Sequence, residues 1–266
     1  ILKTKYGMHP LTVTWAPNMY TDLGWKNLMN WITIGGFDNY LYNPNGEIYR
    51  LLTKLSFEKL YHPHQPFIIG HKLIGPRMAL MYNIKLVFFG ENMAEYGNKK
   101  KENFSSDHPP VYLTDHYDFD KLYLSGYSVS ELIEKYKVSY TDLQHFLPIS
   151  KKELESSEVE FKYLGYYLKW TPQEVYYYAT ENTGFQPYFK RVQGSYSKYK
   201  GVDDKLNWIY FYTYWIKFGF GKATQDASQE IRNNHITRDE GIALVHRYDG
   251  EFPSEYIDDF LDYIGI

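Results

Sequence analysis

Over the first 98 positions, segments with the apolar pattern of strands alternate with segments that have the apolar spacing of helices. Short runs rich in β-branched and apolar residues predict strands over 9–16, 38–42 and 84–89. Apolar residues recur at helical spacing over 21–34, 47–61 and 67–82, and they predict helices there. Strands that alternate with helices are typical of parallel sheets. We therefore expect a doubly wound α/β fold with a mainly parallel sheet.

The pattern after Gly97 predicts a different kind of structure. Residues 99–110 are charged and polar, as in an exposed loop, and most of the chain beyond them has helical spacing. We therefore predict an α/β nucleotide-binding domain over 1–98 and a mostly helical region over 99–266, packed on the first. The expected helix caps are Thr21 or Asp22, Ser130, Ser139 or Thr141, Thr171, Thr237 and Ser254.

The stretch from Leu86 to Asn98 is the first candidate site. Four apolar residues run without interruption, which predicts a short strand with both faces covered. The strand ends at Gly90, and the next polar side chains are Glu91, Asn92 and Glu95. In open α/β sheets, ligands bind at the carboxyl ends of strands, and these groups suit Mg²⁺, a phosphate-bearing substrate or acid/base chemistry. The alternative is an acidic surface loop that follows a buried strand.

The turn between Lys217 and Lys222 is the second candidate. It contains two glycines, whose backbone N–H groups can approach an anion while the two ammonium groups flank it. The spacing is not that of a Walker motif. The helix predicted after the turn carries Arg232, a residue suited to bidentate contact with phosphate or carboxylate. The alternative is a glycine-rich connection between two helices with charged surface residues.

Other patterns carry less information. His62, His64 and His71 match no standard zinc-ligand spacing. A nucleophile elbow and a cysteine nucleophile are both absent from the sequence. Residues 126–149 imitate a helix-turn-helix, but they lack an arginine-rich second helix, which favours a plain helical hairpin.

Composition narrows the classes of protein. The net charge is −3 with a pI near 6.3, so no basic field indicates nucleic acid. Without cysteine the chain has no disulfide or thiolate metal site, and no apolar run approaches the ~20 residues needed for membrane insertion. We expect a cytoplasmic protein. Its 29 tyrosines would suit stacking on sugars or bases, although compositional bias is the better explanation.

The first seven residues predict the end of a helix. Ile1 is not preceded by methionine, and Gly7 is placed as a helix C-terminal glycine. We therefore expect the chain to be truncated, with a strand and part of a helix missing upstream.

Four segments together resemble the N-acetyl sugar amidotransferase family of lipopolysaccharide and nonulosonic-acid biosynthesis, within the PP-loop ATP pyrophosphatase superfamily. They cover nearly the whole chain. The segments are Val13-Thr-Trp-Ala-Pro with Thr21-Asp-Leu-Gly-Trp-Lys-Asn; Gly36-Phe-Asp-Asn with Pro44-Asn-Gly; Phe88-Phe-Gly-Glu-Asn-Met-Ala-Glu-Tyr-Gly; and Lys217-Phe-Gly-Phe-Gly with Asp226-Ala-Ser-Gln-Glu-Ile-Arg.

The resemblance implies an ATP- and Mg²⁺-dependent reaction on a nucleotide-linked N-acetyl sugar. The acetamido oxygen would attack the α-phosphorus of ATP and release pyrophosphate. Ammonia from a separate glutaminase subunit would then displace AMP from the adenylated imidate and leave an acetamidino sugar.

The resemblance also implies roles for individual residues. Glu91 and Glu95 would hold the metal and act in catalysis with Lys217 and Arg232, which together with Lys222 would contact the anionic groups. Val13, Thr14 and Trp15 would lie against adenine, and Gly90 and Asn92 would complete the cofactor site.

One part of the family pattern does not occur in this sequence. The pyrophosphate-binding loop Ser-Gly-Gly-Lys-Asp-Ser and the cysteine pairs before it are both missing. They would lie upstream of Ile1, so we expect the chain as given to be inactive and the intact protein to be active. The alternatives are a non-catalytic module that binds a sugar or a partner, and a sugar-nucleotide transferase of unrelated mechanism.

Overall fold

The computed structural model describes residues 1–90, 94, 105–107, 121–169 and 171–266. These form two compact units that interleave along the chain. The first unit comprises 1–43, 61–64 and 171–266, and the second comprises 44–60 and 65–170. The sequence predicted one boundary near residue 98. In the structure the chain crosses between units several times, because the N-terminal 43 residues pack with the C-terminal 96 (171–266).

Helices account for most of the regular structure in the described ranges. The helices are α1 (Leu2–Tyr6), α2 (Asp22–Thr33), α3 (Gly46–Leu60), α4 (Gln65–Tyr82), α5 (Val129–Tyr136), α6 (Tyr140–Leu143), α7 (Lys151–Ser156), α8 (Leu164–Tyr167), α9 (Pro172–Thr183), α10 (Leu206–Phe218), α11 (Lys222–Arg232), α12 (Arg238–Tyr248) and α13 (Ile257–Ile264), with a 3₁₀ turn at Gln144–Phe146. The strands are β1 (Thr12–Trp15), β2 (Asn39–Tyr42), β3 (Leu86–Phe89), β4 (Tyr123–Leu124), β5 (Tyr127–Ser128) and β6 (Glu160–Tyr163).

The strands in the described part of the chain form three two-stranded sheets. Strands β1 and β2 pair in parallel in the first unit, with Thr12 opposite Asn39. Strands β3 and β6 pair in parallel in the second, with Leu86 opposite Glu160, and β4 pairs antiparallel with β5. The mixed α/β character and the parallel pairing are confirmed. The doubly wound sheet is not, because β3 pairs with a strand of the second unit rather than with β1 or β2.

Strand β3 is less buried than its apolar sequence predicts. Leu86 is 41% exposed, and the next three residues are half-buried. Val87 and Phe89 pack against the core of the second unit, which contains Leu73 and Phe161. The prediction that both faces of this strand are covered was therefore wrong. Among the described residues β3 pairs with one strand only, β6. An uninterrupted apolar run of four residues can therefore occur in a strand that is not central in a sheet.

A buried carboxylate joins the two ends of the first unit. Asp204 accepts hydrogen bonds from the backbone N–H groups of Asn18 (2.8 Å), Met19 (3.1 Å) and Leu206 (2.9 Å). Burial raises the pKa of Asp204 to about 7, although these N–H groups act in the opposite direction. The contact fixes the turn before α2 on the chain that leads into α10.

The start of α2 lies against the same segment. The Thr21 hydroxyl donates to the Val202 carbonyl oxygen at 2.5 Å and accepts the Gly24 N–H at 2.8 Å, which confirms Thr21 as the cap. A Cβ on Gly24 would lie 2.4 Å from the Asp203 carbonyl oxygen. Glycine is therefore required here by the close approach of two backbones.

Aromatic packing fills the core of the first unit. Val192, Val202, Trp208 and Phe211 form a buried cluster. Several partly buried side chains pack on it, among them Leu23 of α2 and the tyrosines Tyr188, Tyr210 and Tyr256. The tyrosine-rich composition is thus used for packing in this unit.

The predicted helix ends were correct in part. Ser139 and Thr237 form complete capping boxes, and Gly7 ends α1 in the left-handed region, as expected. Helix α5 is capped by Ser128 rather than Ser130, and α13 begins after Tyr256 rather than Ser254. At α5 a second serine two residues away gives the same local signal, whereas the start of α13 has no side-chain cap.

Candidate functional site

The turn between α10 and α11 contains the second candidate site. Gly219 ends α10 with φ 74°, and Gly221 precedes α11. The Asp249 carboxylate accepts hydrogen bonds from the Gly221 N–H (2.8 Å), the Thr224 N–H (3.2 Å) and the Thr224 hydroxyl. A Cβ on Gly221 would lie 2.7 Å from Asp249 Oδ1. The glycine turn does receive an anion, as its sequence predicts, but that anion is the protein's own carboxylate.

Lys222 belongs to a buried ion cluster. Its ammonium lies 2.5 Å from Asp226 Oδ1, one helical turn later, and the Lys200 ammonium lies 2.7 Å from the same oxygen. The Ser195 hydroxyl donates to the other oxygen, Oδ2, at 2.6 Å. Asp226 is 1% exposed, and both lysine side chains are largely buried. We call these four residues the Asp226 cluster.

The surroundings of the Asp226 cluster favour the charged form of Asp226 and disfavour the charged form of Lys200. Burial raises the pKa of Asp226, but the Lys222 and Lys200 ammoniums outweigh burial and hold it below its ordinary value. Burial lowers the pKa of Lys200, although Asp226 acts to raise it. Lys200 also donates to Gln229 at 3.0 Å. The cluster therefore fastens the loop that carries Lys200 to α11.

Lys217 lies near His62 and is not a member of the Asp226 cluster. It is an exposed residue in the last turn of α10. Burial, and then the ammonium of Lys217, lower the pKa of His62 to about 4. His62 stacks on Tyr210 with ring centroids 4.9 Å apart, and its Nδ1 is buried without a partner in the described residues. This environment favours the neutral imidazole.

The remaining predicted site residues do not converge on the α10–α11 turn. Arg232 is exposed at the other end of α11, ten residues from Lys222, or about 15 Å along the helix. Trp15 in β1 is 1% exposed and packs on Tyr42, with centroids 4.8 Å apart. Thr14 accepts a hydrogen bond from the Asn39 side chain at 3.0 Å, and Val13 is half-buried in the same strand.

The first candidate site is largely outside the described residues. Gly90 is half-buried after β3, in the second unit. Glu91, Asn92 and Glu95 lie outside the described ranges, and their roles stay predictions. Within those ranges, no group of three histidine, aspartate or glutamate side chains is placed to hold a metal ion. His62 and His64 face Tyr210, whereas His71 stacks on Phe67 in the other unit.

Sequence reasoning missed several important polar residues of the first unit. The Lys222–Asp226 pair has a local signal, because the two residues are four apart on a helix. Asp249 has none, since it lies 28 residues from the glycine whose N–H it accepts. Ser195 and Lys200 lie in an irregular loop and are likewise invisible to helical or strand periodicity.

The described structure is that of a mixed α/β protein. In its C-terminal region, buried lysines and backbone N–H groups are paired with aspartates of the same region. Residues 193–266 match the family described as LPS biosynthesis protein WbpG-like, C-terminal domain. The matched segment contains all four residues of the Asp226 cluster and Asp249. The similarity covers 74 of the 266 residues and is to a domain of lipopolysaccharide biosynthesis proteins. No curated protein matches the chain. In the described ranges, no helix combines the length and the apolar character needed to cross a membrane.

Proposed function

We propose that this protein is an ATP-dependent amidotransferase of surface polysaccharide biosynthesis, of the kind that builds O-antigen. Its substrate would be a nucleotide-linked N-acetyl sugar, whose acetamido group becomes an acetamidino group. The observation that carries the proposal is the match of residues 193–266 to a C-terminal domain of lipopolysaccharide biosynthesis proteins. The four segments of the family resemblance, three of which lie outside the matched region, support the same family.

The described residues do not by themselves fit an ATP site. The N–H groups at the start of α11 bind Asp249, Lys222 pairs with Asp226, and the Trp15 ring is buried. Each of these three groups already has an internal partner. We therefore assign the α10–α11 turn a supporting role: it fixes the end of α10, which presents Lys217 at the surface.

The metal and nucleotide contacts are proposed for the segment after β3. Glu91 and Glu95 are carboxylates of the type that Mg²⁺ prefers, and they follow a strand of a parallel pair. A phosphate loop of the Ser-Gly-Gly-Lys-Asp-Ser type does not occur in this sequence, and the proposal requires one in the active protein. Reaction with ATP would turn the acetamido oxygen into a leaving group, because the adenylated oxygen departs as part of AMP. A glutaminase subunit would supply ammonia.

The rival proposal is a module that binds a sugar or a partner without catalysis. The internal pairing of Lys222 and of the α11 N–H groups favours it, because groups that the sequence predicts to contact a bound anion have structural partners instead. The two proposals differ in one measurable property. An amidotransferase releases pyrophosphate in proportion to the sugar added, whereas a binding module does not.

The test uses the protein encoded by the complete gene. With ATP, Mg²⁺, ammonium and a panel of nucleotide-linked N-acetyl sugars, one sugar should give sugar-dependent pyrophosphate release. Glu91→Gln and Glu95→Gln should each reduce the rate by about 10²-fold or more. The matched control is Glu102, a carboxylate of the charged and polar stretch 99–110. Glu102→Gln should retain the rate. Absence of sugar-dependent release with the whole panel would favour the binding module.

A further inference from the structure

A cleft lies between the end of α11 and the start of α12 in the first unit. Its volume is about 410 Å³, which is within the range of small-molecule sites. It is lined by Ile231, Asn234, His235, Ile236, Thr237, Arg238 and Glu240. None of these residues belongs to the sites considered above.

One wall of the cleft is a histidine held by a buried carboxylate. His235 Nδ1 lies 2.5 Å from Glu230 Oε2, and the His235 backbone N–H donates to the Glu230 carbonyl oxygen at 2.9 Å. The Glu230 side chain is 10% exposed and that of His235 is 26% exposed. Two bonds between the same residues therefore fix the orientation of the imidazole.

The pairing determines what His235 offers to a ligand. A carboxylate can only accept, so Nδ1 must carry the hydrogen. In the neutral ring Nε2 then has a lone pair and accepts hydrogen bonds. Nε2 bonds to none of the described residues, and it is not among the buried atoms that lack a partner. The cleft thus presents an oriented acceptor that a ligand hydroxyl can reach.

The lining of the cleft also includes a cation. Arg238 is exposed and forms no ion pair with any residue in the described ranges. Its backbone is fixed by the capping box beside it, in which Glu240 accepts the Thr237 N–H at 2.7 Å and Thr237 accepts the Glu240 N–H at 3.3 Å. A guanidinium binds phosphate oxygens in a bidentate manner.

Two isoleucines add an apolar surface. Ile231 and Ile236 line the cleft, and Ile231 packs so closely on Gly241 that a Cβ there would lie 2.7 Å from Ile231 Cδ1. The position of the Ile231 side chain is therefore set by the approach of α12 to α11. An apolar face suits the C–H side of a sugar ring.

We propose that this cleft binds a glycosyl phosphate. A sugar hydroxyl donates to His235 Nε2, the phosphate accepts from Arg238, and the ring lies on the isoleucines. Glu230 is a positioning residue, since it acts through His235. The match of residues 193–266 to a domain of lipopolysaccharide biosynthesis proteins agrees with this ligand class. Because binding needs no ATP, the proposal and the amidotransferase reaction can fail independently.

The test is titration calorimetry with N-acetylglucosamine 1-phosphate, and with N-acetylglucosamine and inorganic phosphate for comparison. His235→Asn is the informative variant, because the asparagine amide can keep the bond to Glu230 while Nε2 is lost. His235→Asn and Arg238→Gln should each weaken binding of the sugar phosphate about tenfold. His246→Gln, an exposed histidine of α12 outside the cleft, should bind as the wild type does.

The outcomes separate a binding role from a structural one. If His235 binds ligand, His235→Asn should retain a thermal unfolding midpoint within about 2 °C of the wild type while affinity falls. In the wild-type protein, one of the nine histidine imidazole NMR signals should shift as the sugar phosphate is added, a readout that requires no variant to fold. Inorganic phosphate binding as tightly as the sugar phosphate, or unchanged affinity in His235→Asn, would overturn the proposal.

Discussion

Asp249 accepts the N–H of Gly221 at 2.8 Å and so caps α11, although the two residues are 28 positions apart in the chain. The same carboxylate accepts the N–H and the hydroxyl of Thr224. It occupies the position that the sequence suggests for a bound anion. The start of α11 is thus neutralised from within the protein.

Removal of this cap should destabilise the first unit. Asp249→Ala leaves the Gly221 and Thr224 N–H groups without their acceptor, and we expect a loss of about 1–2 kcal/mol in the free energy of unfolding. Urea unfolding followed by tryptophan fluorescence measures it. Asp262→Ala, an exposed residue of α13, is the control and should change stability by less than about 0.5 kcal/mol. Equal effects of the two substitutions would show that the cap contributes little.

The Asp226 cluster should respond asymmetrically to substitution. Asp226→Asn leaves two largely buried ammoniums without a counterion and should cost about 3–5 kcal/mol. Lys222→Met should cost less, about 1–3 kcal/mol, because Lys200 still pairs with Asp226. Denaturant unfolding of both variants gives the comparison.

A double-mutant cycle tests whether the two lysines share their partner. Lys200→Met should be more damaging when Lys222 is already methionine, since Asp226 then has no ammonium beside it. Strictly additive losses would mean that each lysine acts independently of the other.

Gly24 should not tolerate a side chain. In Gly24→Ala the new Cβ would meet the Asp203 carbonyl oxygen at 2.4 Å, and the required movement of backbone should cost about 1–3 kcal/mol. Gly75→Ala is the control: it lies inside α4, and its Cβ would make only an ordinary contact with Val87 at 3.9 Å. There alanine should be neutral or stabilising by up to about 1 kcal/mol. A neutral Gly24→Ala would contradict the close approach.

His62 should make the first unit sensitive to acid. Its pKa is lowered to about 4 in the folded state, against an ordinary value near 6.5, so the unfolded chain binds the proton first as pH falls. The stability contributed by the neutral ring is present above about pH 6.5. It is lost progressively toward pH 4, by at most about 3 kcal/mol.

Variants isolate this contribution from that of other groups. His62→Phe keeps an aromatic ring against Tyr210 and should remove this part of the pH dependence between pH 6.5 and 4. Lys217→Gln should narrow the pH range over which His62 changes the stability, because the ammonium that helps to lower the pKa of His62 is gone. The measurement is the difference in unfolding free energy between wild type and variant across that range. A constant difference would show that His62 does not titrate as described.

The secondary structure of this chain follows its local patterns closely. The predicted strands at 9–16, 38–42 and 84–89 contain β1, β2 and β3, and the helical spacing after Pro44 matches α3. Local signals failed where two serines compete for one cap, as at Ser128 and Ser130. The pairing of β3 with β6 could not be predicted, because nothing in a four-residue run specifies its partner.

The candidate site was harder to predict than the fold. A lysine, two glycines and a second lysine have the same spacing whether the anion is a ligand or a distant carboxylate. Only the folded structure shows that Asp249 and Asp226 are those partners. By contrast, the Glu230–His235 pair is five residues apart and spans a helix end, a separation at which no periodic pattern indicates contact.

The bond from Met19 to Asp204 spans 185 residues, and this separation has a consequence for synthesis on the ribosome. At about 5–20 residues per second, the N-terminal segment emerges roughly 10–40 s before its partner exists. During that interval β1, α2 and β2 lack the chain on which they are anchored, while residues 44–60 and 65–169 can already pack together. The second unit is therefore expected to fold first on the nascent chain, and the first unit can close only after α10 to α13 have emerged.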